Sequence, residues 1–268
     1  MNTPAITDHE FGQFQKLIYK ATGIHMSPVK KSLVMGRLAK RLNHHGLSTY
    51  SEYYKLLHQC DHPLELQTAV DLLTTNETYF FREPKHFEFL QRTILPAHSK
   101  ARSFHVWSAA CSSGQEPYSI AMLLAYYLGE CPWEITASDI STRVLAKAQR
   151  GHYPMEQAEQ IPDALLKRYC LKGKGGQDGT FLINRKIRSR INFSQINLIE
   201  PMPTREEFDI IFLRNVMIYF NAETKRTVLH HIIRRLKTGG YLFIGHSESL
   251  NGIYDDLTSI RPAIYHKT

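Results

Sequence analysis

From Phe104 onward, short apolar runs alternate with helix-like stretches, and this alternation constrains the fold more than any other feature of the chain. Phe104-His-Val-Trp-Ser-Ala-Ala110 runs into a Ser/Gly turn and a helical segment from about Glu116 to Leu128. Trp133–Ser138 precedes a helix over Ser141–Arg150, and Phe208-Asp-Ile-Ile-Phe-Leu213 precedes one over Ala222–Leu236. Gly239-Gly240 then leads into Tyr241-Leu-Phe-Ile244. Strands that are apolar throughout and separated by helices predict an α/β domain, with a parallel sheet covered on both faces. The stretch Lys172–Phe193 interrupts the pattern. Its glycines (173, 175, 176, 179), flanked by Phe181-Leu-Ile183 and Ile187–Phe193, predict a small antiparallel insertion at about 171–194.

The first 75 or so residues follow a helical period instead. Phe11, Phe14, Leu17 and Ile18 share a face, Thr7 and Glu10 have capping-box spacing, and Gly23 fits a helix stop. Ser27-Pro28 begins a second helix, Val29–Leu42, with Val34, Leu38 and Leu42 on one side and Lys30, Arg37 and Arg41 on another. Two more helices are expected at about Thr49–Gln59 and Pro63–Leu73. The predicted organisation is therefore a helical domain at 1–75, a linking segment at 76–90 and an α/β domain at 91–268.

No apolar run approaches the roughly 20 residues of a spanning helix, since the longest is Ile120–Leu128, and Met1–Glu10 has no signal-like pattern. Four scattered cysteines without a C-x-x-C pair argue against a zinc site or a disulfide framework, so no metal and a cytoplasmic setting are expected. A net charge of +8 favours an anionic partner. No acidic residue lies between Glu10 and Glu52, so the Lys30–Arg37–Arg41 face is a candidate docking surface, although an ordinary solvated face looks the same.

Ligands of open parallel sheets bind beyond the carboxyl ends of the strands. Ala109-Ala-Cys-Ser-Ser-Gly-Gln-Glu116 is a small-residue turn entering a helix there. Asp139 ends the second strand, where a carboxylate either accepts from both hydroxyls of a ribose or caps the next helix; position alone does not separate the two. Arg214 and Asn215 follow the most apolar strand, and Asn197 follows Ile191–Ile196. Between the two domains, Asn76 and Thr78 stand beside Tyr79, Phe80, Phe81 and Arg82. Aromatic faces there suit a sulfonium or an adenine, and an arginine suits a carboxylate, while at least one ring is expected to be a plug between domains. His246 is expected to be a satisfied group at a strand end.

Taken in order, Leu73-Thr-Thr-Asn-Glu-Thr-Tyr-Phe-Phe-Arg82, Val106-Trp-Ser-Ala-Ala-Cys-Ser-Ser-Gly-Gln-Glu-Pro-Tyr-Ser119, Ala137-Ser-Asp-Ile140, Arg214-Asn-Val-Met-Ile-Tyr-Phe220 and Gly245-His-Ser-Glu248 closely resemble the motifs of the CheR family of chemotaxis receptor glutamate methyltransferases. The resemblance covers nearly the whole chain. It implies a Rossmann-like class I domain dependent on S-adenosylmethionine, with a small antiparallel β-subdomain and an all-helical N-terminal domain before it. It assigns cofactor contacts to Asn76, Thr78, Arg82, Glu116, Asp139, Asn197, Leu198, Arg214 and Asn215, and places Tyr219 at the methyl-transfer site. S-adenosylhomocysteine would be the product. The implied partner is the helical cytoplasmic region of chemotaxis receptors, with room for a receptor C-terminal peptide near Lys172, Gly173, Gly175 and Gly179 and for a regulatory adaptor. A sequence pI of about 9.2 also suits a nucleic-acid methyltransferase. However, Asn215-Val-Met-Ile lacks the Asn-Pro-Pro-aromatic motif of amino-methylating DNA enzymes, so neither nucleic acid nor membrane insertion is expected. A non-catalytic module that binds the same cofactor is the remaining rival.

Overall fold

The structure is a computed structural model that describes residues 4–59, 63–98, 102–203 and 205–268; Cys60 lies outside them. Helices α1 (Asp8–Thr22), α2 (Lys31–His45), α3 (Tyr50–Leu56) and α4 (Pro63–Leu73) form the N-terminal unit. The predicted capping box is present: Thr7 Oγ1 accepts from the Glu10 amide at 3.2 Å, and Glu10 Oε2 accepts from the Thr7 amide at 2.9 Å. Gly23 ends α1 with φ 74°, and a Cβ there would lie 2.6 Å from Ile199 and 2.7 Å from Thr224. Glycine thus lets the helical unit approach the α/β domain backbone-first. Phe14, Ile18, Val34, Leu38, Leu42, Tyr50 and Tyr53 make a core of their own.

A second run of helices, α5 (Pro84–Phe89), a π turn at Leu90–Ile94 and α6 (Leu95–Ala97), leads into the sheet. Then follow β1 (Phe104–Ser108), α7 (Gln115–Tyr127), β2 (Trp133–Asp139), α8 (Thr142–Arg150), β3 (His152–Pro154), α9 (Asp163–Tyr169), β4 (Cys170–Lys172), β5 (Thr180–Ile183), α10 (Arg185–Arg188), β6 (Ile191–Gln195), β7 (Phe208–Leu213), α11 (Ala222–Ile233), β8 (Leu236–Ile244), β9 (Thr258–Arg261) and β10 (Ile264–His266). Seven strands pair in the order β6-β2-β1-β7-β8-β10-β9. The first five are parallel, while β10 and β9 close the edge as an antiparallel pair. The apolar runs explain the layering. Val106, Ile210, Phe212 and Phe243 feed one core beneath α7, and Trp107, Ile211, Leu213, Leu242 and Ile244 feed the other with α11. Period-2 side chains on a doubly covered sheet require both sets to be apolar.

The small sheet is built differently from the sequence expectation. Its order is β3-β5-β4, so it begins at His152 rather than near 171. The Ile187–Phe193 stretch does not belong to it, because Arg185–Arg188 is helical and β6 pairs in parallel with β2 at the edge of the main sheet. Helix α11 ends at Ile233, and Gly239-Gly240 fall inside β8, whose pairing with β7 shifts register between Phe208 and Ile210. No described helix is long and apolar enough to cross a membrane.

Candidate active site

Chain order runs from β1 to β2 on one side and from β6 back across to β7 on the other, so strand order reverses between the parallel neighbours β1 and β7. The main cavity opens above that reversal, as the rule for open α/β sheets requires. Its void is about 1230 Å³ counted to its mouth. Every residue predicted to contact the cofactor or the transferred methyl group lines it: Asn76, Thr78, Arg82, Glu116, Asp139, Asn197, Leu198, Arg214, Asn215 and Tyr219.

The floor is a buried charge network. Arg214, 1% exposed at its side chain, donates from Nη1 to Glu116 Oε2 at 2.8 Å and from Nη2 to Glu83 Oε2 at 3.0 Å and to the Arg82 carbonyl. The other Glu116 oxygen accepts from Ser108 Oγ at 2.7 Å. Glu83 Oε1 accepts from Asn215 Nδ2 and from the His246 amide, both at 3.2 Å. Burial alone would raise the Glu83 pKa, but the Arg214 charge and these donors hold it below the ordinary carboxylate value. Burial, assisted by Arg214, pushes the neighbouring His86 down to about 3, so its imidazole is neutral. Glu248 Oε2 accepts from the amides of Gly245 at 2.6 Å and Asn215 at 3.0 Å, and burial raises its pKa despite them. A Cβ on Gly245 would sit 2.6 Å from Asn215 Nδ2, so only glycine fits this turn.

Backbone conformation marks the same region. Phe81, Glu83, Ser112 and Asn215 all have positive φ, between 49° and 60°. Such residues cost of order 1–3 kcal/mol each and persist where surrounding contacts over-determine them. At Ser112 the reason is visible: its amide donates to Asp139 Oδ2 at 2.9 Å and its hydroxyl to the Asn76 carbonyl at 3.0 Å.

Asp139 is buried at the end of β2, and its other oxygen accepts from the Ser141 amide at 2.9 Å. Burial raises its pKa against those amide bonds. It does not cap α8. Asp71, from α4, does so, accepting from Thr142 N at 3.0 Å, Thr142 Oγ1 at 2.8 Å and Arg143 N at 3.2 Å. Two amides leave lone pairs on the Asp139 carboxylate that face the cavity. Asn197 Nδ2 donates to the Ala21 carbonyl at 2.9 Å, and its buried Oδ1 has no hydrogen-bond partner. An unmatched buried acceptor in a cavity wall is where a ligand donor fits.

The three aromatic rings divide. Phe80 is fully buried against Tyr153 and Phe181 at 5.1 and 5.7 Å, and Phe81 packs on Phe87 at 5.0 Å. Both are plugs. Tyr79 is 46% exposed at the cavity wall, with the Arg82 guanidinium 5.7 Å from its ring centre. Tyr219 is half-buried, and burial together with the Glu77 charge raises its pKa, so its phenol keeps its proton at neutral pH. Its carbonyl accepts from the His25 amide at 2.8 Å, and Ile24 bridges Phe220.

The basic face of α2 is not the uniform surface its spacing suggests. Lys30 is exposed and lines the cavity. Arg41 instead makes a two-point pair with buried Glu65, at 2.8 and 2.6 Å, and Arg37 donates to the carbonyls of Leu72 and Thr74 at 3.1 and 2.9 Å. Of the three expected docking residues, these two serve inside the helical unit.

Residues 76–265 match the family model described as CheR methyltransferase, SAM binding domain, and residues 9–74 match CheR methyltransferase, all-alpha domain. The chain belongs to the CheR methyltransferase family. It is 39% identical to a chemotaxis protein methyltransferase of Escherichia coli (strain K12) over 97% of this chain and 91% of that one. It is 37% identical to one of Borreliella burgdorferi, over 98% and 95% of the two chains. Chemotaxis protein methyltransferase 2 of Pseudomonas aeruginosa is 39% identical over 97% and 93%.

Sequence reasoning missed part of this CheR site. Thr22, Ile24, His25, Met26 and Leu33 also line the cavity, because the Ile24–Phe220 bridge brings the end of α1 over its mouth. Glu83, which holds both Arg214 and Asn215, escaped notice inside a motif read for its aromatics. Its one signal is an acidic residue directly before Pro84 and a helix. Two His/Glu clusters also form across distant positions: Glu83, His86 and His246, and His105, Glu134 and Glu206.

Proposed function

We propose that the chain transfers a methyl group from S-adenosylmethionine to glutamate carboxylates of chemotaxis receptors, forming methyl esters. Family membership supports the reaction class, and one observation carries the site: ten residues from the linking segment and the α/β domain line one cavity, whose mouth is completed by Thr22, Ile24 and Lys30 of the helical domain. The residues present suit this cofactor. The Asp139 carboxylate offers acceptors for ribose hydroxyls, the unmatched Asn197 Oδ1 offers one for a ring amino group, and Arg82, which donates from Nη1 to the Glu77 carbonyl at 2.9 Å, has further donors for a carboxylate. Tyr79 and Tyr219, at the same wall, offer aromatic faces for a sulfonium.

When bound, the cofactor supplies an electrophilic methyl group. A glutamate side chain, with a reference pKa near 4.3, is already ionised at neutral pH, so no general base is required. The protein's tasks are to align the two reactants and exclude water, and orientation alone contributes roughly 7 kcal/mol or more. Tyr219 is suited to orienting the incoming carboxylate, because its protonated phenol is a donor at the cavity wall. Lys30, at the same wall, adds a positive charge on the approach path.

A second surface extends the partner reading. His152, Leu171, Lys172, Gly173, Lys174, Gln177, Thr180 and Leu182 line a groove on the small sheet, and Leu171 is 56% exposed. Strand β4 lies at the edge of that sheet, which suits addition of an extended receptor C-terminal peptide. The deciding experiment incubates the chain with radiolabelled methyl donor and receptor-bearing membranes, then adds base. Carboxyl esters release volatile methanol. Base-stable label, or none, would contradict the reading.

A further inference from the structure

His86 is fully buried, and neither of its ring nitrogens has a hydrogen-bond partner among the described residues. Buried polar atoms are almost always matched, so an imidazole with both nitrogens unmatched calls for a ligand or an ion. Its surroundings favour an ion. One ligand atom each from Glu83, His86 and His246 lie within 4.8 Å of one another, and His86 Nδ1 is 3.4 Å from Glu83 Oε2. Tetrahedral zinc, with bonds of about 2.0–2.2 Å, sets neighbouring ligands about 3.3–3.6 Å apart. The His86 and His246 rings are 4.6 Å apart at 76°, and His246 is exposed, which gives solvent access to the cluster.

The carboxylate is already positioned. Glu83 is held by Asn215 and the His246 amide, and His86 packs edge-on against Phe243 at 5.3 Å. Glu83 is the anionic ligand, and the opposing charge beside it is Arg214, which the ion must displace from Glu83. Two imidazoles and one carboxylate suit zinc and its borderline neighbours rather than calcium or magnesium, which take oxygen ligands. The lack of a C-x-x-C pair, which argued against zinc in the sequence, does not bear on a set drawn from positions 83, 86 and 246.

We infer that Glu83, His86 and His246 bind a zinc-type divalent cation beside the cofactor pocket, and that this ion regulates the pocket rather than taking part in methyl transfer. The ion and Arg214 compete for the same oxygen, Glu83 Oε2. Occupancy therefore loosens the Arg214 floor that also reaches Glu116, and weakens cofactor binding. This second half rests on the cofactor reading proposed above. The cluster His105, Glu134 and Glu206 has no fully buried unmatched nitrogen and serves as a control.

The test uses the untagged, chelator-stripped full chain, titrated with zinc chloride by calorimetry and with cobalt(II) by absorption. One equivalent of metal and a tetrahedral cobalt spectrum are expected. His246→Ala, a surface change, should weaken that site at least tenfold and abolish the spectrum, whereas His105→Ala should change neither. His86→Gln is a second variant, and the inference does not depend on its folding. No stoichiometric binding, or equal affinity in His246→Ala, overturns the site. S-adenosylhomocysteine is then titrated with and without one equivalent of zinc. Zinc should weaken its binding several-fold in the wild type and leave His246→Ala unchanged. If metal binds but product affinity does not move, the regulatory half is wrong. If the product fails to bind even in chelator, it is the cofactor reading that fails, and the metal titration still decides the site.

Discussion

On the sheet side of the cavity, Arg214, Glu83 and Glu116 are buried or nearly so and paired with one another; on the helical-domain side, His25 and Lys30 are exposed and Tyr219 is only half-buried. The first wall is fixed before any ligand arrives, while the second borders solvent. Fixed dipoles and charges suit a cofactor that is the same in every turnover, because they need no reorganisation when it binds. An exposed, positively charged lip suits a large partner that must approach, dock and leave. On the function proposed above, the cofactor belongs to the first wall and the receptor to the second.

The largest expected effect breaks the fixed wall. Arg214→Met leaves Glu83 and Glu116 buried without their cation, so it should destabilise the fold by about 3–5 kcal/mol and eliminate cofactor binding. Denaturant unfolding and calorimetry check both.

The helical unit has its own fixed charge, which provides a pH test. Burial would raise the Glu65 pKa, but hydrogen bonds from Arg41, Tyr53 and His45 and the Arg41 charge lower it to about 2. A depressed carboxylate adds stability above its unfolded pKa and loses it as pH falls through the folded value. Wild-type stability should therefore drop by up to about 3 kcal/mol between about pH 4.5 and 2 relative to Glu65→Gln, in which that component is absent. Parallel pH profiles for the two proteins would show that Arg41 is not committed to this pair.

On the open wall, Tyr219→Phe should lower turnover about tenfold, or about 1.4 kcal/mol, with cofactor affinity unchanged. Loss of cofactor binding would move Tyr219 to the fixed wall. Smaller still, Lys30→Glu should raise the receptor KM a few-fold at low salt without affecting stability, a screened long-range effect. Arg41→Glu should do the reverse, because its partner is internal.

Much of this was legible in the residues, and the failures have physical causes. Strands β1, β2, β7 and β8 were readable because both faces are buried, which leaves uninterrupted apolar runs. The ten cavity residues named from the sequence came from strand ends, from the linking segment and, for Leu198 and Tyr219, from the family resemblance alone. Strand β9 was invisible, since all four of its residues are exposed and give no alternation. Strand β6 was seen but assigned to the wrong sheet, because pairing with β2 is non-local and leaves no local signature. Arg37 and Arg41 illustrate the limit of charge patterns: spacing gives a helix face, but whether Glu65 or solvent meets it depends on how α4 packs. The support behind Asp139 was hidden for the same reason, with Asp71 capping α8 across 71 residues of sequence.

The most direct measurement of the shared pocket is calorimetric titration of the full chain with S-adenosylhomocysteine, alongside Asp139→Ala on the sheet side and Asn197→Ala beside the helical unit. A single site in the wild type, weakened at least tenfold in each variant, is the predicted result. No heat in the wild type, or undiminished affinity in both variants, would contradict it.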